Sequence, residues 1–310
     1  MELNLRKLND DVRDKLLKAR LTTSSKILQL TENELKRIGD FTAEDVKSIF
    51  LLASQTTVKA IPLNAELPMI TTGCKHIDAI LGGGLRRSSG INELSGESGC
   101  GKTQLCLQLT LTTQNHEIVG GINKSVLYIC TEDSFPSKRL VQMMENIPPP
   151  FKNRYEIPYG DRIYIEHISD VNGLKECLFM RLPNLLNTGK IGLIIIDSIA
   201  ALFRADYAPQ DGLQRTKDLR SVGCQLHSLS KKFNICVLCV NQVTSSISTN
   251  ETDPIPALGL AWANLVTTRI VMKKYQFQDL RVIKLVFSPH TGPASCGYTI
   301  TDSGVRGTEI

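Results

Sequence analysis

The sequence predicts an α/β protein built on a doubly wound, mostly parallel sheet and preceded by a small all-helical domain. Three observations carry this. Leucine and isoleucine recur at helical intervals through the first 55 residues. From residue 71 onward short apolar runs alternate with helix-like stretches, the pattern of parallel strands covered by helices on both faces. Between one such run and one such helix, Gly96-Glu97-Ser98-Gly99-Cys100-Gly101-Lys102-Thr103 fits the spacing G-x-x-x-x-G-K-[S/T].

A chain of 310 residues can bury a full α/β core and still carry a second, smaller module. The net charge of +5 is compatible with a nucleic-acid partner without requiring one. The first residues alternate charge with leucine and lack the apolar stretch of a secretory leader, and no apolar run is long enough to span a membrane. No membrane partner is expected. The nine cysteines are an odd number and sit mostly in apolar segments, as reduced thiols of a cytosolic or nuclear protein do. Cys236-Val237-Leu238-Cys239 matches C-x-x-C, but no second pair stands at zinc-site spacing and the run around it reads as a buried strand. Core packing is the expectation there.

Residues 1–55 are expected to form a compact helical bundle, because Leu16, Leu17, Leu21, Ile27, Leu28, Leu30, Leu35 and Ile38 recur at helical intervals between polar faces. Breaks are expected at Thr22-Thr23-Ser24-Ser25 and Gly39-Asp40. Thr31-Glu32-Asn33-Glu34 has the form of a capping box, and Thr42 marks a further helix start. Lys36-Arg37-Ile38-Gly39 is expected in a turn between helices, either meeting a phosphate backbone through its amides or serving as a solvated turn or docking face. Residues 56–70, with Pro62 and Pro68, read as a linker. Within it Val58-Lys59-Ala60-Ile61 has strand-like residues and is either a plain tether or a strand added to a neighbour's sheet edge.

In the main domain, residues 71–310, strands are expected at 125–130, 162–167, 191–197 and 235–240. The last strands are expected at 268–272 and 281–287. Helices are expected at 137–145 and 216–233, and over most of 171–187 with an interruption at Pro183. In such sheets ligands sit at the carboxyl ends of the strands. Three strands end there in polar residues: Glu132, Asp197 and Asn241-Gln242. The loop amides and the helix N-terminus after Gly101 present positive partial charge to phosphate oxygens. Lys102 would reach the β- and γ-phosphates, and the Thr103 hydroxyl would sit on Mg²⁺. Asp197, behind a run of branched apolar residues, would hold the same ion or cap the segment that Ser198 begins. Glu132 is placed to take a proton from an attacking water, and Gln242 to orient that water or sense the γ-phosphate.

The phosphate loop, Tyr128-Ile129-Cys130-Thr131-Glu132-Asp133-Ser134-Phe135, Leu193-Ile194-Ile195-Ile196-Asp197-Ser198 and Val240-Asn241-Gln242-Val243 occur together and in order. This set resembles the RecA-like P-loop ATPases, in particular the Rad51 recombinase family. The run from Ser288-Pro289-His290 to Gly304-Val305-Arg306-Gly307 and the helical N-terminal domain are similar too, so the resemblance covers nearly the whole chain. It implies a RecA-like ATPase core that takes ATP and Mg²⁺, in an accessory protein of DNA repair by homologous recombination that is expected in the nucleus, either alone or together with the cytoplasm. The implied partners are a second paralogue, the Rad51C protein, as a heterodimer, together with the recombinase filament and single-stranded or branched DNA. The implied activity is slow DNA-dependent ATP hydrolysis, or an ATP-stabilised scaffold with little of it.

Residue by residue, the resemblance assigns catalysis to Glu132 and Gln242, the latter linking the γ-phosphate to a second DNA loop. It assigns nucleotide binding to Gly96, Glu97, Ser98, Gly99, Cys100, Gly101, Lys102, Thr103 and Gln104, with Arg139 packed on the adenine. Thr103 and Asp197 fall at the metal. Arg204, Tyr207, Arg215 and Lys217 are candidates for the first DNA loop, and Val58 and Ala60 for the partner tether.

Departures from the family pattern are informative. Asn264 stands where a recombinase has histidine, and Phe287 where its ATP cap has aspartate. Gln210 replaces a basic residue. The second loop, 244–258, holds Glu251 and Asp253 and no lysine or arginine. DNA affinity comes largely from cations meeting phosphates, so a weak grip is expected there. Thr57 occupies the position three before Ala60 where the family tether has phenylalanine. Phe50-Leu51-Leu52-Ala53 fits that tether pattern but continues a helical run and is expected in the core. Homopolymer formation should be weak.

Overall fold

A computed structural model of the chain describes residues 3, 5, 8–28, 30–54, 69–148, 157–244, 255–275 and 281–308. Contacts divide the chain into two units, Met1–Glu66 and Leu67–Ile310.

Among its described residues the first unit holds four helices, α1 (Asp10–Lys18), α2 (Ser24–Leu28), α3 (Glu32–Gly39) and α4 (Ala43–Ser54). The start of α3 is a capping box. Glu34 N–H donates to Thr31 Oγ1, and Thr31 N–H donates to the Glu34 carboxylate at 2.7 Å. Thr42 and Asp45 repeat the arrangement at the start of α4. Each such cap is worth about 1 kcal/mol. Val12, Leu16, Ile27, Leu35, Phe41, Val46, Ile49 and Ala53 close over one small core. Two expectations change. Lys36, Arg37, Ile38 and Gly39 are the last turn of α3, not a turn between helices, and the chain leaves that helix at Asp40 in a left-handed conformation. Cations in a last turn complement the negative end of the helix, which accounts for their place. Of Phe50–Ala53, Ala53 is buried and Phe50 half-buried, while Leu51 is exposed.

The second unit opens with β1 (Met69–Ile70), α5 (Lys75–Ile80) and β2 (Leu85–Arg86), β1 and β2 pairing antiparallel. Next come β3 (Ile91–Gly96), α6 (Lys102–Gln114), β4 (Ser125–Cys130), α7 (Ser137–Glu145), β5 (Ile163–His167), α8 (Val171–Glu176), α9 (Leu182–Asn187) and β6 (Ile191–Asp197). Then follow α10 (Ile199–Ala205), α11 (Gly212–Phe233), β7 (Cys236–Thr244), β8 (Ile255–Pro256), α12 (Gly259–Ala263), β9 (Val266–Lys274), β10 (Arg281–Phe287), β11 (Ala294–Thr301) and β12 (Gly304–Thr308). The main sheet runs β12-β11-β10-β9-β3-β7-β6-β4-β5. From β9 to β5 every pairing is parallel; β10, β11 and β12 extend it antiparallel.

The parallel strands are apolar on both sides because both faces are covered. In β6, Leu193 and Ile195 pack toward α5, α6 and α7, while Ile194 and Ile196 pack toward α8, α10 and α11. β7 alternates the same way, so Cys236 and Cys239 lie on opposite faces of the sheet, each buried. Core packing accounts for the C-x-x-C. Helix α6 is buried almost all round, and its polar residues are tied back. Gln108 donates to Thr72 O and accepts from Val305 N–H, and the Thr113 hydroxyl donates to Leu109 O.

Three details depart from expectation. The helical path from 171 to 187 is not broken at Pro183. One π turn, Cys177–Arg181, joins α8 to α9 and widens the backbone where the proline ring would meet the preceding turn. Asn184 Nδ2 donates to the Met180 carbonyl there. The sheet does not end at 281–287 but gains β11 and β12. Helix α11 begins at Gly212, earlier than 216. No described helix is long and apolar enough to cross a membrane.

Candidate nucleotide site

A cleft of about 1040 Å³ opens at the carboxyl ends of β3, β4, β6 and β7. Its floor is the loop from Gly96 to Thr103, between β3 and α6. Two glycines there are required by close approach. A Cβ on Gly96 would stand 2.3 Å from Met272 O in β9, and one on Gly101 would stand 2.7 Å from Ile300 Cδ1 in β11, where the backbone is also left-handed. Gly99 faces open space. The loop carbonyls of Gly96 and Glu97 both accept from Lys102 Nζ at 2.8 Å, which folds the ammonium over the cradle. Cys100 does not line the cleft. Its thiol is buried beneath the loop, burial holds it protonated, and its carbonyl accepts from Tyr298 OH at 2.5 Å.

At the deep end the Thr103 hydroxyl donates to Asp197 Oδ2 at 3.0 Å, and Tyr128 OH donates to the same oxygen at 2.6 Å. Tyr128 is buried, which pushes its phenol well above its ordinary value, with Cys106 and the Asp197 carboxylate adding to the effect. It therefore remains a donor at neutral pH. Burial and Asp197 together raise the Cys130 thiol to about 11. Helix α10 is capped by Ser198, whose Oγ accepts from Ala201 N–H, so Asp197 is free of that task and turned to the cleft.

Glu132 and Gln242 meet across the mouth, the Gln242 amide donating to Glu132 Oε1 at 2.6 Å. Arg204 donates to the Gln242 carbonyl oxygen. An Arg204–Gln242–Glu132 chain thus joins α10 to the end of β4. On the opposite rim Arg139 donates to Gln104 Oε1 at 2.7 Å and to Thr301 O at 2.5 Å, while Gln142 donates to Asp302 Oδ1 at 2.8 Å.

Of the first-loop candidates, Arg204 is thus turned to Gln242. Tyr207 is held by its hydroxyl on Asp218 at 2.7 Å and stacks on Phe203, and Arg215 donates to Phe203 O. Lys217 is exposed on α11. Val58, Ala60 and most of the second loop lie outside the described residues. Phe287 lies under the Arg269 guanidinium at 5.1 Å, and Asn264 is exposed at the end of α12.

Sequence reasoning missed two parts of the site and a buried polar cluster on the far face of the sheet. Tyr128 reads in the sequence only as part of a buried strand, although its polar tip among apolar neighbours is a signal. Ile300, Thr301 and Asp302 supply a wall of the cleft. Glu93, in β3, is fully buried and gathers Asn241, Trp262 and Arg269 around its carboxylate.

A glycine loop between strand and helix, a hydroxyl–carboxylate pair at its deep end and a parallel sheet continued by antiparallel strands define a phosphate-loop protein of RecA-like fold. Residues 64–308 match the family profile of Rad51. The chain belongs to the Rad51 family. It is similar to "DNA repair protein XRCC3" of Mus musculus, 34% identical over 343 aligned residues covering 99% of this chain and 98% of that one. The Bos taurus protein of the same name is 35% identical, again covering 99% and 98%. "Meiotic recombination protein DMC1" of Saccharomyces cerevisiae is 32% identical over 94% of this chain and 89% of its own.

Proposed function

We propose that the chain is an ATP-binding accessory subunit of homologous recombination and double-strand break repair in the nucleus. It would support the strand-exchange recombinase as one half of a heterodimer with the Rad51C paralogue. The observation that carries the reading is the cleft itself, with an ammonium folded over a glycine cradle and a hydroxyl–carboxylate pair beside it. Those donors fit the groups proposed for them. Lys102 would exchange two backbone carbonyls for phosphate oxygens. The oxygens of Thr103 and Asp197 suit a hard cation such as Mg²⁺, which neutralises phosphate charge when bound.

The chain's own residues would then act as follows. Tyr128 holds one Asp197 oxygen in place from below. Gln242 is fixed in one orientation, because its carbonyl oxygen accepts from Arg204 and its amide donates to Glu132. That contact uses Oε1 of Glu132; Oε2 has no partner among the described residues and is the oxygen that would take a water proton. Arg139, anchored to Thr301 and Gln104, forms a flat guanidinium rim for a base to stack on.

A second reading, a scaffold in which ATP stabilises the heterodimer and hydrolysis is slow, is favoured by Phe287. That position is spent on packing under Arg269 and offers no carboxylate to a neighbour. Co-expression with and without Rad51C, followed by calorimetric titration with MgATP, tests the proposal. Retention of both partner and nucleotide is expected, and absence of MgATP binding to the purified heterodimer would refute it.

A further inference from the structure

Glu93 lies three residues before Gly96, on the face of the sheet away from α6, and its side chain is wholly buried. Oε1 accepts from Asn241 Nδ2 at 2.7 Å and from Trp262 Nε1 at 2.8 Å; Oε2 accepts from Arg269 Nε at 2.5 Å. These donors come from three separate elements. Asn241 precedes Gln242 on β7 and points to the opposite face, because side chains alternate along a strand. It also donates to Ala257 O at 2.9 Å, while Ala257 N–H donates to Gln242 O at 2.8 Å, so the chain's return to α12 is pinned beside Gln242. Trp262 lies on α12, two residues before Asn264. Arg269 lies on β9, the other neighbour of β3.

We propose that Glu93 is a positioning residue of the phosphate cleft, its buried carboxylate tying the strand of the phosphate loop to Gln242 through Asn241 and to helix α12 and Asn264 through Trp262. Stability alone does not account for it. A buried ion pair is often no better than apolar side chains of the same volume. A network built only for stability would also be fully satisfied, yet Arg269 Nη2 and Asn241 Oδ1 are buried without partners among the described residues. The register reinforces the link. Gly96 sits opposite Gln242 and Ser95 opposite Asn241, so a shift of Gln242 toward a phosphate displaces its neighbour Asn241 against Glu93. Because Arg269 and Asn241 each keep an open valence, the cluster can exchange hydrogen bonds without unpairing its charge. Helix α12 follows through the indole N–H. This rests on the reading of the cleft as an ATP site.

Trp262 is the one tryptophan in the sequence, so its emission reports this cluster without interference. The test is a titration of the full chain with a magnesium complex of the slowly hydrolysed analogue adenosine 5′-O-(3-thiotriphosphate), followed by emission and, in parallel, by calorimetry. The expected wild-type result is an emission change with the same midpoint as the heat. In Glu93→Gln the nucleotide still binds within about threefold, the emission change is lost, and where turnover is measurable kcat falls about tenfold or more at unchanged KM. Should that variant leave Arg269 uncompensated and fail to fold, Glu93→Gln/Arg269→Gln removes both charges and keeps the indole. The same loss of response is expected from it. A silent wild-type emission despite calorimetric binding overturns the coupling alone, as does a folded variant that keeps the full response. No calorimetric binding to the wild type overturns the ATP reading and the coupling with it.

Discussion

Replacing Lys102 by alanine separates the work the ammonium does for the free protein from the work proposed for it with nucleotide. In the free protein Nζ donates to the carbonyls of Gly96 and Glu97, both at 2.8 Å, one part-buried and the other exposed. Two such hydrogen bonds are worth roughly 1–2 kcal/mol together once solvent competition is counted. Against a phosphate the interaction becomes charge on charge, about 4 kcal/mol at 4 Å separation and an effective dielectric constant of about 20. The difference, about 2–3 kcal/mol, corresponds to an affinity weaker by roughly 30- to 150-fold. Titration calorimetry of wild type, Lys102→Ala and Lys102→Met with MgATP measures it, the methionine keeping the apolar stem. Thermal melting alongside should show a drop of about 2–4 °C for each kcal/mol by which removing those two hydrogen bonds destabilises the fold. An affinity within threefold of wild type in both variants would mean that the ammonium does not meet phosphate, and the reading of the cleft would fall with it.

Glu132→Gln keeps a hydrogen bond to Gln242 but cannot take a proton. Turnover should fall by about 10²–10⁴ with nucleotide affinity retained, and comparable turnover in a steady-state phosphate-release assay would remove Glu132 from that role. The free chain should bind single-stranded DNA more weakly than a filament-forming recombinase, with a shallower dependence of affinity on salt, since its second loop carries no lysine or arginine. Equal affinity and slope in fluorescence anisotropy would refute this. In the first unit, Glu34 is held below its ordinary value of 4.5 by the Thr31 backbone N–H, with the Thr31 hydroxyl adding to it. A depressed carboxyl stabilises the fold above its unfolded pKa, and that contribution is lost as pH falls through the folded pKa. The destabilisation of Glu34→Gln relative to wild type should therefore be full at pH 7 and vanish in acid. A difference that persists in melts below the lowered pKa would contradict the cap.

The parallel core and the phosphate loop are legible in the sequence because each is written locally. Apolar runs of strand length end in Glu132, Asp197 and Gln242, and a fixed spacing of glycine and lysine stands between strand and helix. The segments Ala294–Thr301 and Gly304–Thr308 are not legible as strands. They are rich in serine, threonine and glycine, and only Cys296, Tyr298 and Val305 of their apolar side chains are buried. A half-buried antiparallel strand of that kind has no apolar run to announce it. Pro183 misleads for a different reason. The cost of proline in a helix is real, but a π turn just before it removes the clash, and nothing in local composition reveals that turn. Glu93 is least legible of all. Its partners Trp262 and Arg269 are 169 and 176 residues away in sequence, and a carboxylate between Asn92 and Leu94 shows its meaning only when they arrive.

The wall formed by Ile300, Thr301 and Asp302 has a consequence for how the protein is made. The hydroxyl of Tyr298 reaches Cys100 across 198 residues of sequence, and Arg139 reaches Thr301 across 162. At translation rates of about 5–20 residues per second, the cradle leaves the ribosome on the order of 10–40 s before the strand that completes it. During that interval the loop exists without its wall. A premature stop before residue 298 would leave the whole signature in place, yet give a chain with a cleft open on one side.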